Sequence, residues 1–155
     1  MKIISHRGNL DGPIFEKENH PDYILNAIDA GFDVEIDLWK IETKLFLGHD
    51  EPKYLIDVDF LNKNRKRIWI HSKNLESLHF LLQTNLNFFW HQSDQFTLTS
   101  NNYIWTYPDQ KITNKSIIVA LKYEKINEIP YGICTDYPYK YKNDIIYKHA
   151  PEPSL

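Results

Sequence analysis

Eight short apolar runs, each broken off by polar side chains with reactive groups, constrain this chain more than any other feature. In order they are IISHR (3–7), VEIDLW (34–39), LFLGHD (45–50), IWIHSK (68–73), NFFWHQ (87–92), YIWTYP (103–108), SIIVAL (116–121) and GICTDY (132–137). Runs of this length, rich in β-branched and aromatic residues, suit strands covered on both faces, as in a parallel sheet. Their shared ending carries the information. His6, Asp37, His49, His71, His91 and Asp136 all fall near the carboxyl end of a run.

Helical patterns separate some of these runs. In HPDYILNAIDAG, Ile24, Ala27 and Ile28 recur at helical spacing, Pro21 suits the first turn, and Gly31 suits the position past the end. NLESLHFLLQT (74–84) places Leu75, Leu78, Leu81 and Leu82 on one face behind an Asn74 cap. LIDVDFLNKN is a shorter candidate capped by Asp57, and LKYEKINEI (121–129) a weaker one. The expected class is α/β, a compact (β/α)8 TIM barrel with several outer helices shortened or missing. Such barrels ordinarily take about 250 residues, and this chain has 155. A doubly wound open sheet competes, but it needs a helix after nearly every strand. The reactive run ends favour the barrel, whose active sites lie at the carboxyl ends of its strands.

The length suits one domain over residues 1–155, and no linker or low-complexity segment divides it. A net charge of −3 and a pI of about 6.1 leave no electrostatic footprint for nucleic acid. The single cysteine, Cys134, excludes an internal disulfide and fits a reducing compartment. No run approaches a membrane span, and MKIISHRG is too short and polar for a signal peptide, so the expectation is a cytoplasmic protein without stable membrane insertion. The tail KHAPEPSL is expected to be loosely held, and His149 within it to be a surface residue.

Within FDVEIDLW, apolar residues alternate with Asp33, Glu35 and Asp37. Strand side chains alternate with period two, so Glu35 and Asp37 point the same way, about 7 Å apart along the strand. Carboxylates converging at a barrel mouth repel each other unless protonated or bridged by a cation. A hard divalent ion such as Mg²⁺ or Ca²⁺ resolves the conflict. The plain alternative is a pair of surface acids on a twisted edge strand. His6 and His49 end the flanking runs, and imidazole is the side chain best suited to proton transfer near neutral pH. Arg7 adds a fork of donors that matches phosphate.

This ordered set resembles the glycerophosphodiester phosphodiesterase family, within the phosphatidylinositol-phospholipase-C-like barrels. SHRGN is similar to the family's opening His-Arg-Gly, and KEN (17–19) followed by AIDAGFD resembles its Glu-Asn and Ala-x-x-x-Gly-Ala-Asp stretches. VEIDLW, LFLGHD and GICTDYP resemble its Glu-x-Asp, its His-Asp and its last strand. The resemblance spans residues 4 to 138. It implies Glu35, Asp37 and His71 as metal ligands, His6 and His49 as the acid/base pair, Arg7 and Lys73 as phosphate-binding residues, and Glu18 and Asp50 in support. His71 is a departure, because the family usually has an acid there. Imidazole suits Mn²⁺ or Zn²⁺ better than Ca²⁺, so both stand beside Mg²⁺ and Ca²⁺ as the implied cofactor. Asp94 or Asp136 could supply another oxygen, although Asp136 reads better as a structural residue of the last strand. The insertion that many members carry after the His-Asp is replaced by EPKYLIDVDFLNKNRKR (51–67), so a lid built from it is absent.

The implied activity is that of a hydrolase, a metal-dependent phosphodiesterase acting on a small glycerophosphodiester-like substrate. Competing expectations are a phosphodiester-binding barrel without turnover and a phosphodiesterase for a lysophospholipid or sugar-phosphate. Of the aromatic residues near the run ends (Trp39, Trp69, Trp90, Trp105 and Tyr107), at most two are expected to touch substrate, with Trp69 in the core. His91 is read as pocket-lining.

Overall fold

The computed structural model of the chain describes residues 1–126 and 128–148. The described residues do not include His149 or the tail beyond it. Ten strands and four helices follow in order: β1 (Lys2–His6), α1 (Pro21–Asp29), β2 (Asp33–Ile41), β3 (Lys44–Leu47), β4 (Tyr54–Ile56), α2 (Val58–Asn64), β5 (Ile68–Ser72), α3 (Leu75–Leu81), β6 (Phe88–Phe89), β7 (Phe96–Leu98), β8 (Ile104–Thr106), β9 (Ser116–Val119), β10 (Gly132–Thr135) and α4 (Pro138–Lys148).

Parallel pairing runs β6–β5–β2–β1–β10–β9–β8. Antiparallel pairs join β3 to β2, β4 to β3 and β7 to β8. The result is a mixed sheet curved into a half-barrel, and the expected (β/α)8 TIM barrel is overturned. Among the described residues no ladder joins β6 to the β7–β8 hairpin, although single hydrogen bonds such as Ser100 N–H to the Phe88 carbonyl (2.8 Å) cross there.

Two physical causes separate this fold from the expected one. First, β2 is long enough to do two jobs. Its residues 33–38 pair in parallel with β1 and β5, while 38–41 turn back on β3. The run LFLGHD is therefore one arm of a hairpin rather than a member of the parallel set. Second, helices cover only one side. They follow β1, β4, β5 and β10, whereas the connections after β6, β8 and β9 contain none among the described residues. Residues 121–126 of the weak helical candidate are irregular, in keeping with a charged stretch without an apolar stripe that runs towards Pro130. Strands β4 and β7, each three residues long, carry too little pattern to be read in advance.

The helices form where local signals are strong. His20 caps α1 by accepting from the Asp22 amide, with Pro21 in the first turn, and Gly31 follows the helix with φ +95°. Asp57 caps α2 through the Phe60 amide at 2.8 Å. Asn74 and Ser77 form a reciprocal capping box on α3. The stripe expected on α3 is only partly buried: Leu81 is in the core, but Leu75 and Leu82 are exposed.

Two apolar layers result. The outer face of the sheet packs Val34, Ile36, Leu38, Ile68 and Ile70 against Ile24, Ala27, Leu61 and Leu81 of the helices. The inner face holds Ile4, Trp69, Phe89, Trp105, Ile117 and Cys134. Strand β2 is thus covered on both faces through Leu38, and its acids are interior groups rather than surface ones. Of these, Asp33 lies at the amino end of the strand, where it accepts from Lys2 Nζ (2.7 Å) and Trp69 Nε1 (3.0 Å) and pairs with Arg67 Nε at 3.1 Å. Among the described residues, no helix is long and apolar enough to cross a membrane.

Candidate functional site

The carboxyl ends of β1, β2 and β5 and the turn after β3 converge on Asp37. Register puts His6 beside Glu35, and Asp37 beside His71, on one face of three adjacent strands. Asp37 is fully buried. Asn19 clamps it twice, donating Nδ2–H to Oδ2 and accepting the Asp37 amide at Oδ1, each at 2.9 Å. Arg7 Nε approaches Oδ2 at 2.9 Å, close enough for an ion pair but not aligned as a hydrogen bond. His71 Nδ1 stands 3.0 Å from Oδ1, Lys73 Nζ 3.5 Å from Oδ1, and His49 Nδ1 3.4 Å from Oδ2. Burial alone would raise the Asp37 pKa. The hydrogen bonds from His49 and His71 and the charge of Arg7 outweigh it and hold the carboxyl well below its usual range.

Glu35 has the opposite environment. It is buried, its Oε2 has no hydrogen-bond partner among the described residues, and its nearest cationic candidate, His71 Nδ1, is 4.0 Å from Oε1. Burial, then the Asp37 charge, push its pKa well above the usual range despite Arg7 and Lys73. One atom from each of Glu35, Asp37 and His71 lies within 4.8 Å of the others. A buried carboxylate oxygen without a donor, beside a second carboxylate and an imidazole, fits a divalent cation chemically.

His6 is held from the far end of the chain. Its Nδ1 lies 2.8 Å from Asp136 Oδ1, across the β1–β10 pair. Asn9 donates to Asp136 (2.8 Å) and to Glu18 (2.9 Å), and Glu18 accepts from Arg7 NH1 at 3.0 Å. Glu18 thus braces Arg7. By contrast, Asp50 is exposed and, among the described residues, reaches only His49 Nε2, at 3.5 Å. Arg7 also contacts His49 Nδ1, and Lys73 Nζ lies 3.4 Å from the same nitrogen.

The loops achieve this with unusual backbone. Arg7 and Asn19 both adopt positive φ, +54° and +62°. Gly8, at φ +94°, passes so close to α1 that a Cβ would fall 2.7 Å from Tyr23 Cδ1. At Gly48, φ +153°, a Cβ would sit 2.1 Å from the Glu51 carbonyl oxygen, so the turn that presents His49 requires glycine. Beside His49 and Arg7 opens a cavity of about 420 Å³, lined also by Phe15, Glu18, Asn19 and Lys53.

All nine site residues read from the sequence lie at this end of the sheet, with Asp50 at the margin. Sequence reasoning missed Asn9 and Asn19 as organisers and ranked Asp136 as structural. Both asparagines stood inside quoted motifs, and asparagine at a loop position tolerates the left-handed backbone that Asn19 adopts. The β1–β10 pair is the one a barrel's last strand would make with its first, but nothing local in GICTDY announced that Asp136 would reach His6. The aromatic set divides: Trp69 and Trp105 are core residues, Trp90 is exposed, and Trp39 donates to the Gly48 carbonyl at 2.6 Å. Tyr107 faces His91, whose pKa falls to about 4, chiefly through burial and then the neighbouring His71 and Lys73. No family model, curated protein or solved structure matches the chain.

Proposed function

We propose that the protein is a metal-dependent phosphodiesterase for a small, glycerophosphodiester-like substrate. One observation carries the reading: His49 contacts the cationic pair Arg7 and Lys73, and His6 stands beside Glu35, at the edge of the buried trio Glu35, Asp37 and His71. The resemblance of the sequence motifs to glycerophosphodiester phosphodiesterases supports the same assignment.

In this mechanism Glu35, Asp37 and His71 hold the cation. A bound divalent ion would neutralise a non-bridging phosphate oxygen and lower the cost of the charge that builds there. Arg7 and Lys73, both beside Asp37, share that charge. His6, with Nδ1–H given to Asp136, keeps a lone pair on Nε2 to take the proton of the attacking oxygen. His49 is 40% exposed beside the cavity and returns a proton to the departing alkoxide as the phosphorus–oxygen bond breaks. Attack by water leaves a phosphomonoester and an alcohol. Attack by a neighbouring substrate hydroxyl leaves a cyclic phosphate and the same alcohol.

The test is alcohol release from glycerophosphocholine and bis-p-nitrophenyl phosphate with Mg²⁺, Ca²⁺, Mn²⁺, Zn²⁺ or a chelator. The expected result is cation-dependent turnover that drops by roughly 10²- to 10⁴-fold in His6→Ala. Binding of the phosphodiester with no turnover under any cation would replace this reading with a binding protein.

A further inference from the structure

A wall of stacked rings borders the candidate cation site and has no part in the proton transfers above. His71 stacks on Phe89, with centroids 5.1 Å apart and planes 5° from parallel, and on His91 at 4.5 Å and 8°. Phe89 is stacked in turn on Trp105 at 4.4 Å. The His91 ring leans on Tyr107 (4.8 Å, 58°), whose hydroxyl meets His91 Nε2. The position of His71 is thereby fixed both along its edge, by Asp37 at Nδ1, and across its face, by Phe89 of β6 and by His91 just beyond that strand. An imidazole so held can neither tilt nor turn without unstacking.

Two features of this wall bear on which ion it suits. Imidazole nitrogen replaces an oxygen donor, and nitrogen donors favour Mn²⁺ and Zn²⁺ over Mg²⁺ and Ca²⁺. The supporting ring is another imidazole, whose Nδ1 is buried without a partner among the described residues. Resting on the reading that Glu35, Asp37 and His71 hold a divalent cation, we propose that His91 is a positioning residue for His71. The stacked pair biases the centre towards a transition-metal ion, Mn²⁺ or Zn²⁺, over Mg²⁺ or Ca²⁺.

The experiment is direct titration of the metal-stripped full chain with each of the four ions, by calorimetry and, for Mn²⁺, by electron paramagnetic resonance. The wild type should bind Mn²⁺ and Zn²⁺ at least about 10-fold more tightly than Mg²⁺. His91→Ala should weaken Mn²⁺ binding by about 10-fold, within the range for loss of a group that orients a ligand. His91→Phe, which keeps a flat ring against His71, should restore most of that affinity and separate positioning from a failure to fold. His71→Asp should shift the preference towards Mg²⁺ and Ca²⁺. Wild-type affinity in His91→Ala, or equal affinity for Mg²⁺ and Mn²⁺ in the wild type, would overturn the inference and leave the cation site standing. No binding of any ion by the wild type would remove the cation site as well.

Discussion

Glu35 shows at the scale of one residue what burial does to an acid without a donor among the described residues. Without an ion, a buried carboxyl with an unpartnered oxygen beside Asp37 is an energetic burden. Glu35→Gln removes the charge and keeps the shape. In thermal melts, the cation-free variant is expected to unfold no lower than the wild type, while the stabilisation that added Mn²⁺ gives the wild type disappears. Asp33, on the same strand, has the opposite character. It accepts from Lys2 and from the buried Trp69 indole and pairs in charge with Arg67. Asp33→Ala should cost about 3 kcal/mol in urea unfolding, because those donors lose their common acceptor. Cys134 provides a third test. Its thiol lies on the inner face of β10, and burial, then Glu35 and Asp136, push its pKa well above the ordinary value. The thiolate is the reactive form. The native protein at pH 8 should therefore react with a thiol reagent only as fast as it unfolds, and denaturant should release the full single-thiol reaction.

Among the elements, α3 ties the helical layer to the site strand. The Asn74 side chain caps α3 through the Ser77 amide, accepts the Lys40 amide and donates to the Lys40 carbonyl at the end of β2. Asn74→Ala is expected to lose about 2 kcal/mol, the upper end for a cap, since it breaks the anchor as well. The turn after β3 is stricter. Gly48→Ala would force a Cβ into the Glu51 carbonyl and displace His49, so activity should fall more steeply than the unfolding midpoint. Caps of this kind were legible in the sequence because their information is local: Asn74, Asp57 and Pro21 each announced a helix that formed. The pairing of LFLGHD was not legible. Nothing within the run distinguishes an antiparallel partner of β2 from a parallel one, and the outcome depends on β2 extending past Leu38. Helix α4 escaped notice for another reason: its pattern is built on tyrosines and lysines rather than aliphatic residues.

For the whole molecule, coverage is lopsided. Helices shield β2 and β5, whereas β6 contributes only two ladder residues and β7 pairs on one side. Hydrogen exchange should register this, with the amides of β1, β2, β5 and β10 slowest and those of β6 and β7 fastest. Uniform protection across the sheet would contradict it. The same asymmetry explains what could be read in advance. The residues that gather around Asp37 could be picked out because most of them sit at or just past the ends of apolar runs. The barrel expected to hold them was not formed, because the chain after β6 spends its connections on turns and on the β7–β8 hairpin instead of helices. The bond between His6 and Asp136 spans 130 residues, and that separation has a consequence for synthesis. A chain emerging from the ribosome displays Glu35, Asp37, His49, His71 and Lys73 long before the partner of His6 has been translated. The first strand must wait, unpaired along one edge, for β10 to arrive. The cluster around Asp37 can thus assemble early, whereas the His6–Asp136 contact forms only once β10 has been made.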